Sequence, residues 1–254
     1  MSPATTTRRA ALVTGASYGI GAATAIGLAE DGFDVAVTDL AIAPLEKTVA
    51  AINAAGGRAV PMALDLRDQG SVERVVREAV GSLGGLDVLV NNAGVPSLGK
   101  QAIDVTREAW DGVIAVNLSG TFFMSREMGR YLIEARRPGA VISLASTHGA
   151  VGFAGASAYG IAKAGVSHMT KMLAVEWAPH NIRVNAVAPG TTPTESRAPS
   201  LTDPRRRELM LNRIPLKRFA EVAEVAGAIR YLASPQAAYI TGHTLLVDGG
   251  LTAY

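Results

Sequence analysis

Apolar residues along the chain follow two alternating patterns. The first is a short run rich in Val, Leu and Ala: AALVTG (10–15), DVAVTD (34–39), AVPMAL (59–64), DVLVNN (87–92), AVISLAS (140–146), RVNAVAP (183–189) and TLLVDG (244–249). Several of these runs are nearly continuous, as expected of strands covered on both faces. Between them lie stretches with helical spacing. Pro44 to Ala55 stops at Gly56-Gly57 and Ser71 to Leu83 stops at Gly84-Gly85, where glycine ends a helix at little steric cost. Strand and helix alternating seven times predict an α/β chain: one doubly wound parallel sheet of seven strands with helices on both faces. No linker, repeat or low-complexity segment interrupts the pattern, so residues 9–254 read as one domain behind a flexible tail at 1–8.

Two segments break the rhythm. Residues 105 to 135 carry helical spacing with few stops and predict two helices end to end. Residues 190 to 220 hold prolines at 193, 199, 204 and 215 where a single crossover belongs. A long irregular insertion after the sixth strand lies at the carboxyl ends of the strands, where such sheets bind ligands, and reads as a substrate lid.

Composition narrows the function classes. Of the 254 residues, 48% are hydrophobic and 18% charged, enough for a large core and too few charges for a disordered chain. A net charge of +2 is too weak to argue for nucleic acid or anionic lipid as partner. The densest basic run, Arg205 to Arg207, stands between Asp203 and Glu208 and reads as a solvated helix face. The absence of cysteine removes disulfides, thiolate metal sites and thiol nucleophiles. Histidines at 148, 168, 180 and 243 lack ligand spacing, so no metal is expected. The uncharged stretches 10–29 and 138–162 are long enough to span a bilayer, yet they are filled with Gly, Ser and Thr and read as buried strand–turn–helix segments. The first nine residues lack the apolar core of a signal peptide. The expectation is a soluble, cytoplasmic protein acting on a small molecule, with neither nucleic acid nor membrane as partner.

Three constellations carry candidate chemistry. In ALVTGASYGIGAATAIGLAEDG a strand turns through glycines and continues as an Ala-rich helix. Such a turn lets backbone approach a pyrophosphate at a helix N-terminus, although the spacing Gly15-x3-Gly19-x-Gly21 is not that of the standard dinucleotide fingerprint. Asp39 closes the second strand, either as a turn aspartate or as the acid that bonds the adenosine ribose. A phosphate on that ribose about 4 Å from the carboxylate would cost on the order of 4 kcal/mol at an effective dielectric of 20. Neither Tyr18 nor Leu40 offers a compensating cation, so the expected cofactor is NAD, with NADP disfavoured. Finally, SAYGIAKAG (157–165) places Tyr159 and Lys163 four residues apart on one helix face. Either both snorkel to the surface, or the ammonium lowers the phenol's pKa so that it exchanges protons near neutrality.

Taken in order, TGASYGIG (14–21), DL (65–66), NNAG (91–94), VN (116–117), Ser146, YGIAK (159–163), PGTTPT (189–194) and DGG (248–250) resemble the short-chain dehydrogenases/reductases over nearly the whole chain. The resemblance implies a Rossmann-like fold and hydride transfer at nicotinamide C4. It implies Tyr159 as acid/base and Lys163 as its electrostatic support and holder of the nicotinamide ribose. Ser146 would hold the substrate oxygen, where the residues alone allow a helix cap. Asn117 would bend its helix and hold a proton-relaying water, where the bland alternative is a solvent-facing Asn. Cofactor contacts are implied for Thr14, Gly15, Ser17, Tyr18, Gly19, Ile20 and Gly21 in the turn, and for Asp39 with Leu40. The same holds for Asp65 (facing the adenine) with Leu66, for Asn92, Ala93 and Gly94, and for Pro189, Gly190, Thr192 and Thr194. Asn91 would be partly structural.

Substrate positions by the same analogy are Pro96, Ser97, Thr147, His148, Phe153 and the lid from Thr191 to Arg213. His148 either bonds a polar substrate or only its own loop. Small polar residues there, with NAD, lean towards a sugar, polyol or other small secondary alcohol. A 3-oxoacyl carrier-protein reductase using NADPH is the alternative; Asp39 opposes it, and Val175 stands where such enzymes commonly place an arginine before the glutamate. A steroid or aromatic alcohol dehydrogenase, or a non-catalytic dinucleotide-binding protein, is also weighed; retention of Asn117, Ser146, Tyr159 and Lys163 speaks against the last. Family members pair long helices into homotetramers, and MSREMGRYLI and HMTKMLAVEWA fit burial in a core or in such an interface.

Overall fold

The structure, a computed structural model, describes residues 8–97 and 99–253. The tail expected at 1–8 lies outside the described residues except for Arg8. That residue belongs to the domain: its guanidinium donates to the carbonyls of Ala29 and Phe33 at 3.3 Å and pairs with Asp34 at 3.1 Å.

In chain order the first half comprises β1 (Arg9–Thr14), α1 (Gly19–Glu30), β2 (Phe33–Asp39), α2 (Glu46–Ala54), β3 (Ala59–Ala63), α3 (Gln69–Leu83) and β4 (Val88–Asn91). The second comprises α4 (Arg107–Ile114), α5 (Thr121–Glu134), β5 (Gly139–Leu144), α6 (Ser157–Trp177), β6 (Ile182–Pro189), α7 (Pro204–Asn212), α8 (Val222–Ala233) and β7 (Thr244–Val247). The strands form one parallel sheet in the order β3-β2-β1-β4-β5-β6-β7. The chain order reverses between β1 and β4, which opens a crevice at their carboxyl ends.

Successive strand residues point to opposite faces, and both faces are covered. Leu12 and Leu89 pack with Val75 of α3, Met128 of α5 and Leu173 of α6. Val13 and Val90 pack with Leu28 of α1 and Ile229 of α8. This two-sided burial is why the strands read as unbroken apolar runs. The uncharged stretches that were long enough for a bilayer are the β1–α1 unit and the β5–α6 connection, and no helix among the described residues is long and apolar enough to cross a membrane.

Residues 107–134 carry two helices end to end, as expected, with a join that spacing did not give: α4 and α5 connect through a π-helical stretch, Ala115–Gly120, with right-handed backbone throughout. One expectation is revised. The insertion after β6 is less irregular than its prolines suggest, because Pro204 opens α7 at the first helical position and Asp203 caps it by accepting from the Arg205 N–H at 3.0 Å.

The middle of the sheet is braced by one polar side chain. Asn91, 4% exposed, donates from Nδ2 to Ser125 Oγ at 2.9 Å and Ser143 Oγ at 3.1 Å, tying β4 to β5 and α5. Asn91→Ala leaves both hydroxyls buried without that donor and is expected to cost about 2 kcal/mol. A lower denaturant midpoint at unchanged slope checks this; an unmoved midpoint contradicts it.

Candidate active site

β1 enters its turn through Gly15 (φ +64°), and α1 begins at Gly19 (φ +60°), both in the left-handed region that glycine adopts without penalty. At Gly21 a Cβ would stand 2.1 Å from the Gly15 carbonyl oxygen and 2.5 Å from Asn92 Nδ2. The first turn of α1 has neither an acidic residue nor a side-chain cap. Its orphan N–H groups and dipole therefore face the crevice as a cradle suited to a pyrophosphate, so the residues present fit a dinucleotide.

Several residues expected to touch the cofactor also build this cradle. Thr14 is 1% exposed, and its Oγ1 accepts the Asn92 and Ala93 N–H groups at 3.0 Å each. Asn92 Nδ2 donates to the carbonyls of Thr14 at 3.0 Å and Gly15 at 2.7 Å. The Ile20 side chain is partly buried against the core and Leu66 is buried. Asp39 ends β2 with its carboxylate fixed on both oxygens, by the Ser17 hydroxyl and by the Leu40 N–H at 2.8 Å. Asp65 is gripped by Arg67 at 2.6 Å, which holds its carboxyl below the usual carboxylate range.

The second half of the crevice gathers Asn117, Ser146, Tyr159 and Lys163. Ser146 follows β5, and its Oγ accepts the His148 N–H at 3.2 Å and lies 3.4 Å from His148 Nδ1. It therefore is a cap, as the residues alone allowed, and also faces the phenol. One turn of α6 separates Tyr159 from Lys163, whose Nζ lies 5.8 Å from the phenol ring centroid. Lys163 is 5% exposed; its ammonium donates to the Leu144 carbonyl at 2.6 Å, and burial pushes its pKa down to about 8. The expected depression of the Tyr159 pKa by Lys163 is not found. Burial pushes the phenol up, opposed by a hydrogen bond with Ser146 and by the charge of Arg197. Desolvation is the larger effect because the same burial that penalises the ammonium penalises a phenolate.

Asn117 is fully buried in the π-helical stretch. Its Oδ1 accepts the Val95 N–H at 2.8 Å and its Nδ2 donates to the Val95 carbonyl at 2.9 Å, clamping the loop after β4 and excluding a solvent-facing role. Gly94 fits between them: a Cβ there would stand 2.9 Å from Asn117 Oδ1 and 3.8 Å from Lys163 Nζ.

On the substrate side, His148 stacks on Phe153 at 4.2 Å between centroids and meets the Tyr159 ring edge-on at 5.5 Å. Burial and the Arg197 charge lower its pKa to about 4, so it is neutral at physiological pH. Ser97 donates to the Gly155 carbonyl at 3.0 Å, joining two loops of the pocket wall. Pro189 ends β6, the Gly190 N–H donates to Val247 O at 2.9 Å, and Thr192 is buried with its hydroxyl on Gly190 O at 3.4 Å. Thr194 leans over the glycine turn, its Cγ2 3.0 Å from where a Gly19 Cβ would sit. Sequence reasoning missed Arg197 and Arg213 as individual site residues. The Arg213 guanidinium lies 4.9 Å from the Phe153 ring centroid, and Arg197 is close enough for its charge to act on Tyr159 and His148.

Residues 15–252 match a family model described as enoyl-(acyl carrier protein) reductase. The chain is also 40% identical over 242 residues to the 3-oxoacyl-[acyl-carrier-protein] reductase FabG of Thermotoga maritima, covering 94% of this chain and 96% of the relative. The chain belongs to the short-chain dehydrogenase/reductase family. Among solved structures of this family, a candidate 2-deoxy-d-gluconate 3-dehydrogenase from Agrobacterium tumefaciens with bound NADP superposes with a TM-score of 0.90. It is 36% identical, with 97% of each chain covered. An NAD+-bound xylitol dehydrogenase superposes at 0.91 with 30% identity, covering 95% of this chain and 98% of that one. The protein is thus a dinucleotide-dependent oxidoreductase of CH–OH or carbonyl groups.

Proposed function

We propose that the protein transfers hydride between the nicotinamide of NAD and a small secondary alcohol or ketone, of the sugar, polyol or similar hydroxy-compound type. The observation that carries the cofactor choice is the Asp39 carboxylate, held rigidly at the end of β2 by two uncharged partners, Ser17 and the Leu40 N–H. A ribose offers it hydroxyls to bond; a ribose phosphate offers it a like charge that neither partner offsets. The likeness to a xylitol dehydrogenase supports the substrate class.

In this reading the nicotinamide, when bound, takes the hydride in oxidation and gives it in reduction. Tyr159 takes or gives the hydroxyl proton, and Ser146 holds the substrate oxygen beside the phenol. Lys163, whose pKa burial lowers to about 8, lies one turn away to pass charge or a proton. Asn117 positions Val95 and Gly94 so that the backbone comes close to Lys163. Phe122 of α5 and Ile161, Met172 and Val175 of α6 remain exposed, which supports pairing of these helices in a homotetramer.

The test is a parallel titration with NADH and NADPH, followed by fluorescence. NADH is expected to bind roughly tenfold or more tightly, the severalfold-discounted value of the charge repulsion, and Asp39→Asn is expected to narrow the gap. Tighter NADPH binding would instead favour the carrier-protein reductase reading, which the Thermotoga relative supports and the exposed Val175 of α6 does not. Binding of neither would leave the fold without its ligand.

A further inference from the structure

The amino ends of the strands form a second concave surface, at the opposite end of the sheet from the crevice. A cavity of about 550 Å³ opens there, bordered by Arg9, Asp87, Pro138, Arg183, Ala238 and Tyr239, and its size lies within the range of small-molecule sites. β1 carries the chain roughly 16 Å from Arg9 at this cavity to Thr14 at the glycine turn, so the two sites are separate.

Two guanidinium groups meet at the cavity. Arg9, first in β1, donates to the Ala233 carbonyl at 3.2 Å and lies 4.4 Å from the Phe33 ring centroid. Arg183, half-buried in β6, donates to the carbonyls of Ser234 at 3.5 Å and Ile240 at 3.4 Å. Ala233 and Ser234 are consecutive, so both side chains converge on the carboxyl end of α8. The Arg183 bonds are long, and the Ile240 carbonyl already accepts Asn185 Nδ2 at 2.8 Å. Among the described residues neither guanidinium has a carboxylate partner. Asp87 borders the cavity, but its Oδ2 accepts the Ala10 N–H and its Oδ1 pairs with Arg137, both at 2.8 Å. The end of α8 offers about half a negative charge against two positive ones. Burial and the charge of Arg9 lower the pKa of Arg183, the response of like charges held together without a counterion.

We propose that this cavity is a second ligand site, independent of the dehydrogenase site, where Arg9 and Arg183 together bind the phosphoryl dianion of a small phosphomonoester. Guanidinium forks match phosphate oxygens bidentately, and two of them balance a charge near −2. Pro138, Ala238 and the fully exposed ring of Tyr239 give an organic body apolar surface to cover, which favours a phosphomonoester over free phosphate.

The test is calorimetric titration of the protein, saturated with NADH so that the pyrophosphate cradle is filled, with phenyl phosphate, inorganic phosphate and phenol at constant ionic strength. Phenyl phosphate is expected to bind at one site per chain, inorganic phosphate more weakly and phenol not at all. Arg9→Gln and Arg183→Gln are each expected to weaken phenyl phosphate roughly tenfold or more, and the lysine variants to recover part of the loss. NADH affinity and melting temperature report an intact fold. Arg9 is exposed, so its variants decide the question should Arg183→Gln fail to fold. No binding of either phosphate, equal binding by the parent and Arg9→Gln, or binding that NADH abolishes would overturn the proposal. Inorganic phosphate binding as tightly as phenyl phosphate would keep the anion site and overturn the choice of a phosphomonoester. If NADH itself does not bind, the dehydrogenase reading fails on its own, and the same titrations of the free protein and its arginine variants still decide this site.

Discussion

Tyr159→Phe is expected to bind NADH as the parent does and to lose turnover by roughly a thousandfold, the middle of the range for a removed general acid–base group. The substitution keeps the ring that His148 meets edge-on at 5.5 Å, so the pocket wall and fold stay in place. Only the hydroxyl goes, and no neighbour replaces it. His148, with a pKa of about 4, is a feeble base at neutral pH, and the Lys163 ammonium is engaged by the Leu144 carbonyl. Because burial raises the phenol's pKa, the phenolate needed for alcohol oxidation is scarce near neutrality. Oxidation by the parent should therefore speed up as pH rises through the neutral range, while carbonyl reduction, which needs the protonated phenol, should not. Steady-state rates in both directions, with fluorescence titration of NADH, test both statements. Turnover retained in Tyr159→Phe would remove the residue from its proposed role.

The parts of this architecture legible in the chain are those set by local chemistry. Strand positions announce themselves because both faces of the sheet are covered, so Leu12 and Val13 are both apolar although they enter different cores. Tyr159 and Lys163 stand together because four residues make one helical turn. Other features depend on what the fold brings near. The direction of the Lys163 ammonium and the pKa of the phenol follow from burial, which spacing does not report. Thr14 and Asn92 have the hydrogen-bonding capacity of ligand contacts, but capacity carries no direction, and both point into the turn they support. The π-helical stretch at Ala115–Gly120 is marked only by the bend that the resemblance implied at Asn117; Ala, Val, Leu, Ser and Gly around it fit either kind of turn. Along the sequence Arg205 to Arg207 read as a solvated face and Arg213 only as the end of the lid; only the folded chain sets Arg213 on Phe153.

Gly21→Ala sets two physical effects against each other, and their magnitudes decide the outcome. Alanine in a helix interior is favoured over glycine by about 1 kcal/mol, so propensity alone predicts a more stable protein. The added Cβ, however, would stand 2.1 Å from a backbone carbonyl, that of Gly15, and 2.5 Å from Asn92 Nδ2. Neither is the yielding end of a flexible side chain. Relief requires α1 to back away from the turn, which strains the Asn92 bonds to Thr14 O and Gly15 O and carries the helix N–H groups away from the crevice. Overpacking of this kind costs roughly 1–3 kcal/mol, so a net loss of stability is expected despite the gain in propensity. Displacing the cradle by even part of an ångström disrupts several charge-assisted bonds to a pyrophosphate at once, so NADH affinity is expected to fall roughly a hundredfold. Gly112→Ala in α4 is the internal comparison: it is exposed, no atom lies within 4 Å of its Cβ position, and only the propensity gain applies. Thermal or denaturant unfolding should therefore move in opposite directions for the two variants, with NADH affinity lost in the first alone. If both were stabilised and both bound NADH normally, the tight approach of Gly21 to Gly15 would not be what makes this turn a phosphate cradle.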